Sequence, residues 1–112
     1  MMNEKLSEDW KAIDQLLAQT LDEASLVLKS LDTRPAGVSV SEQWKSTHPM
    51  LSLPNAGNGA SSMLKELMER YAGGFSASSA GTRYWAFVTG GSTPAALMGD
   101  WIASTVDLVV GG

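Results

Sequence analysis

The sequence predicts a mainly α protein of about three helices with long loops, and three observations carry that reading. Apolar residues recur at spacings of three and four through the first thirty residues or so, a shorter stretch repeats the pattern over residues 61–71, and Thr93-Pro94 marks a third helix start. At 112 residues the chain forms one small domain at most, because a chain this short buries a smaller fraction of its surface than a full-sized enzyme does. Its parts are residues 1–33, a helix; residues 34–60, a loop; and residues 61–112, a helix, a linker, an extended aromatic run and a last helix.

The first helix is the strongest of these signals. Leu6, Trp10, Ile13, Leu17, Leu21, Ala24, Leu28 and Leu31 fall on one side of a helix, and Lys11, Asp14, Gln15, Gln19, Asp22 and Glu23 fall on the other. Ser7 is placed to cap it, Glu8 and Asp9 put negative charge in the first turn, and Lys29 lies near the opposite end. Such a helix has to hide its stripe against the rest of the chain, as in a helix hairpin, or against a partner. Arg34-Pro35 should end it, because proline disfavours helical geometry in the residue before it.

Residues 35–59 read as a loop, with Gly37, Pro49, Pro54 and Gly57 among serines and asparagines, and Trp44, Met50, Leu51 and Leu53 as scattered apolar anchors. So long a structureless stretch is uncommon inside a compact domain, which suggests that it runs along a larger surface. His48 stands between Thr47 and Pro49 without the partners that metal binding or nucleophile activation needs, so it reads as exposed or as packing the loop. In the second helix Leu64, Leu67, Met68 and Tyr71 share a face, Gly73-Gly74 supplies the stop, and Glu66 and Arg70 make an i,i+4 surface pair.

Residues 75–83, FSASSAGTR, form a small-residue linker. They lead into the stretch around which the chain is organised, residues 84–101, YWAFVTGGSTPAALMGDW. Tyr84 and its neighbours up to Val88 are aromatic and β-branched enough to be extended. Gly90 and Gly91 allow a tight turn, Thr93 supplies an N-cap hydroxyl, and Pro94 at the first helical position has no amide to waste. Free amides and the helix dipole could hold an anion or a carboxylate there, and a plain strand-turn-helix connection explains the same residues. Leu97, Met98, Trp101, Ile102, Val106 and Val109 make the third helix apolar over more than half its circumference, as suits a protein interior.

Composition removes several functions. With no cysteine there is no disulfide, thiolate nucleophile or sulfur metal site. A net charge of -4 and scattered Arg34, Arg70 and Arg83 argue against a nucleic-acid stripe. The first ten residues lack the basic start and apolar core of an export signal, and Asp100 and Asp107 interrupt the longest apolar stretch, so no membrane span and a cytoplasmic location are expected. Gly90-Gly91 lacks the lysine of a P-loop and the spacing of a dinucleotide fingerprint.

The run RYWAFVTGGSTPAALMGDWIAS at residues 83–104, with LDTRPAGV at residues 31–38, resembles the N-terminal part of the pyridoxal-phosphate-dependent group II decarboxylases, which include the aromatic-amino-acid and glutamate decarboxylases. The resemblance is best over residues 26–104 and covers only the front of that family's fold. It implies one incomplete domain from a fold-type-I enzyme, whose N-terminal helices clasp the other subunit of a homodimer. It also places Phe87, Val88, Thr89, Gly90, Gly91 and Ser92 on the substrate side of the cofactor, and Val109 and Gly111 near the neighbouring subunit's active site. At the latter the sequence departs from the family, with Leu108-Val109 where many relatives carry polar residues.

The family's chemistry needs a lysine for the Schiff base, an acidic partner for the pyridine nitrogen and a group on the ring face. None of Lys5, Lys11, Lys29, Lys45 and Lys65 resembles the cofactor lysine, which follows a histidine in the family, and His48 does not match the ring-stacking position. The expectation is therefore a segment with no catalytic residue and no bound metal, inactive and without cofactor by itself. Pyridoxal phosphate and an amino-acid substrate would belong to the complete enzyme. A free-standing helical interaction module that presents the first helix's stripe to a partner is the other reading of the same residues.

Overall fold

The computed structural model describes residues 3–35, 37, 42–75 and 93–108. Among these the protein is mainly helical and has no strand: α1 (Glu4–Lys11), α2 (Ile13–Ser30), α3 (Glu42–Thr47), α4 (Ala60–Tyr71), a 3₁₀ turn (Ala72–Gly74) and α5 (Pro94–Val106). The expected extended run at residues 84–88 and most of the linker lie outside the described residues.

The first expected helix is two. α1 begins earlier than Ser7, since Asn3 accepts the Lys5 amide through Oδ1 at 2.8 Å and Ser7 donates its own amide to the Asn3 carbonyl inside the helix. It ends at Ala12, whose backbone (φ -99, ψ 15) leaves the helical region while its amide is shared between the Glu8 and Asp9 carbonyls. Neither proline nor glycine forces this break. It coincides with a long-range contact, in which Asp9 Oδ2 accepts the amide of Ala60 at 2.9 Å and so caps α4 from another helix.

α2 stops at Ser30, before Arg34-Pro35 is reached. Its last turn is closed from within: Ser30 Oγ donates to the Val27 carbonyl at 2.8 Å, and the Arg34 amide donates to the Ser30 carbonyl at 2.9 Å. The interval expected to be a loop contains α3, so residues 34–60 are not structureless. Trp44 anchors that helix by stacking on His48, with ring centroids 4.0 Å apart and planes 8° from parallel.

α4 matches its expected span to within a residue, and Leu64 and Met68 are half-buried on the side that packs against α2. On α2 the half-buried positions include Leu16, Glu23, Val27 and Ser30, which share a helical face. That face is turned well away from the stripe of Leu17, Leu21 and Leu28, which stays exposed. The expected Glu66–Arg70 pair does not form, because Arg70 donates to the Pro49 carbonyl at 2.6 Å and to the Tyr71 hydroxyl at 3.1 Å. The surface pair on this helix joins Lys65 to Glu69 at 3.9 Å.

No described residue of the helices is fully buried. The described helices therefore touch through edges and end caps rather than around a shared core.

Candidate functional site

Two arrangements position side chains with purpose: the ends of α4, and the groove between α2 and α5. α4 is held at both ends by residues remote in sequence. Asp9 takes the first amide, where its negative charge also suits the helix dipole. At the other end the Arg34 guanidinium donates to the carbonyls of Ala72 at 2.8 Å and Phe75 at 3.2 Å, while Nε and Nη2 rest on Ser30 Oγ at 3.2 and 3.1 Å. A cation there neutralises the carbonyl-rich end of the helix and ties it to the end of α2. His48 adds a third tie, with Nε2 at 2.7 Å from the Arg70 carbonyl oxygen. His48 thus packs the segment after α3, as its setting in the sequence suggests, and its ring nitrogens face backbone atoms.

The groove holds about 410 Å³ and is lined by Leu21, Ala24 and Leu28 of α2 and Leu97 and Trp101 of α5, with Thr20, Ser25, Asp100 and Ser104 at its rim. An apolar floor inside a polar rim is the layout of an association surface. It also locates the unused half of the expected stripe, since Leu21 and Leu28 look across at α5. α5 forms as its start signals predict: Thr93 Oγ1 accepts the Ala96 amide at 3.2 Å, and Pro94 takes the first turn. Its apolar face is not covered, however. Met98, Ile102 and Val106 are each more than half exposed, and Trp101 is 37% exposed.

Phe87, Val88, Thr89, Gly90, Gly91, Ser92, Val109 and Gly111 all lie outside the described residues. The structure does place Thr93, the N-cap of α5, which follows Ser92 in sequence. The clasping roles of Asp9 and Arg34 were not legible from pattern: Asp9 reads as a first-turn acid of its own helix, and nothing local points fifty residues away.

Among the described residues, the lysines and His48 do not offer pyridoxal phosphate a Schiff-base or ring-stacking partner. All five lysines stand exposed, Lys5 bound to Glu8 at 2.9 Å and Lys65 beside Glu69, and His48 stacks on Trp44 rather than facing an open ring site. The hydrogen bond to Glu8 holds the Lys5 ammonium above its usual range, the reverse of the lowered value that Schiff-base lysines use. Among the described residues no group of histidines and carboxylates could hold a metal ion, and no helix is long and apolar enough to cross a membrane. Comparison with known proteins places the chain in no family: no family model, no curated protein and no solved structure matches it.

Proposed function

We infer that this chain is the N-terminal segment of a pyridoxal-phosphate-dependent amino-acid decarboxylase, a cytoplasmic carboxy-lyase. It supplies dimer contacts and part of a substrate pocket, and is inactive alone. The observation that carries the reading is the aromatic-glycine-proline-aspartate run at residues 84–101 leading into an apolar helix without cover. In the complete enzyme α5 would be an interior helix, and the α1–α2 stripe would meet the partner subunit of the homodimer. The residues at 87–92 would shape the substrate side of a site whose cofactor lysine is supplied elsewhere.

A second reading, a helical interaction module, is favoured by one observation: α4 is clasped by Asp9, Arg34 and His48, all residues of the chain itself. The coding sequence beyond Gly112 separates the two. Continuation into a histidine-lysine cofactor motif supports the enzyme segment, whereas a stop codon and a stable product support the module. In a complete enzyme Gly91→Val should impair turnover far more than it lowers the melting temperature, because a Cβ would crowd the turn beside the substrate. Normal turnover with reduced stability would end the pocket assignment.

A further inference from the structure

The break between α1 and α2 has no local cause. Residues 10–16, WKAIDQL, contain neither glycine nor proline, and alanine, the residue at the break, has the highest helix propensity of all. Yet the Ala12 backbone leaves the helical region (φ -99, ψ 15), which turns α1 away from the axis of α2. On the α1 side of the break stands the tie to α4, in which Asp9 Oδ2 accepts the Ala60 amide at 2.9 Å. On the α4 side Gly59 takes a φ of 91°, which side chains rarely adopt, and a Cβ there would lie 3.4 Å from Asp9 Oδ1.

α1 has eight residues, too few to hold a helix in water unaided, since nucleation costs more than so few bonds return. Two supports are open to it: α4, through Asp9, or α2, by continuing as one helix. The structure shows the first, and the fit is loose. Leu6 of α1 and Met63 of α4 line a hollow of about 500 Å³ between the helices and stay 48% and 59% exposed, so the polar tie holds more than the packing does. The second support needs only that Ala12 return to helical angles. The Asp9 carbonyl, which now accepts the Ala12 amide, then accepts that of Ile13, and water takes the Ala60 amide.

We propose that α1 is a strap with two positions: closed, it caps α4 through Asp9; released, it swings into line with α2 to make one helix over residues 4–30. The change re-sorts the apolar stripe. In the closed position the bend sets Leu6 and Trp10 apart from Ile13, Leu17, Leu21 and Leu28; in the released one all six follow one side of a helix about 40 Å long. Asp9 thus decides whether the chain shows two short apolar faces or one long ridge. This is a property of the chain itself and does not depend on the enzyme to which it would belong.

The sequence has no cysteine, so spin labels on Glu4→Cys and Lys29→Cys in the full chain report the bend by pulsed dipolar spectroscopy. A straight helix puts these positions about 38 Å apart, and the closed strap brings them nearer. With the tie intact the shorter distance should dominate. Asp9→Ala removes the tie and should raise the ratio of straight to closed chains by about five- to thirtyfold, the worth of a side-chain cap, whereas Asp9→Asn keeps an acceptor and should stay mostly closed. Because alanine also favours helix, Gly59→Ala tests the tie from its far side. A Cβ at positive φ disfavours the backbone that presents the Ala60 amide, so the same straightening should appear in two helices the substitution does not alter. Helicity by circular dichroism should hold or rise in both variants. A short distance that persists in both would overturn the proposal, as would a long distance already dominant with the tie intact. So would a broad distribution with lost helicity, the mark of an α1 that frays instead of straightening.

Discussion

Replacing Ile102 with lysine tests whether the face of α5 is an association surface. Ile102 keeps 62% of its surface exposed on a helix whose neighbours Met98 and Val106 are also bare. Full burial of such a side chain is worth about 1.5–3 kcal/mol, so covering the exposed share contributes about 1–2 kcal/mol for each copy of the chain. That corresponds to about a five- to thirtyfold change in an association constant. Lysine retains helix propensity but cannot be buried there without a partner for its charge, so Ile102→Lys should weaken association by at least this factor with little effect on helicity. Sedimentation equilibrium gives the constant, circular dichroism gives the helicity, and a hydrophobic-surface dye reports the open groove. The unaltered chain should self-associate or bind the dye. A compact monomer that binds none, indifferent to Ile102→Lys, would refute both the exposed-face argument and the segment reading.

Other substitutions probe the joints. Asp9→Ala should cost about 1–2 kcal/mol and speed hydrogen exchange at the Ala60 amide, since it removes a charged cap, while Asp9→Asn should lose only the dipole share of about 0.3–1 kcal/mol; unchanged exchange in both would disprove the cap. Asp107 ends α5 in the left-handed region (φ 44), where glycine carries no Cβ penalty and no negative charge at the helix's negative pole. Asp107→Gly should therefore stabilise α5 by about 1 kcal/mol, visible as slower exchange at the Asp107 amide bound to Ala103. Added pyridoxal phosphate should give no internal-aldimine absorption band; a band abolished by substituting one of the five lysines would contradict the chemical reading of their exposed settings.

The sequence by itself determined the local elements, because the signals for them are local. Thr93 caps α5 through a contact three residues long, Pro94 suits its first turn, and the apolar spacing at Leu64 and Met68 settles α4. A helix's existence depends on such neighbours, and so the chain's helical class was readable before any packing was known. Tertiary structure decided what depends on residues far apart. It broke the first helix at Ala12, where Asp9 is aimed onto Ala60; it chose Leu16, Glu23 and Val27 over the more regular stripe as the face nearest α4; and it gave Arg34 the end of a helix begun some thirty residues later. Periodicity shows that a helix has an apolar side and cannot say which neighbour takes it. α2 is apolar on more than one face, and the choice between them rests on polar end contacts, Asp9 on one amide and Arg34 on two carbonyls, that leave no trace in the hydrophobic pattern.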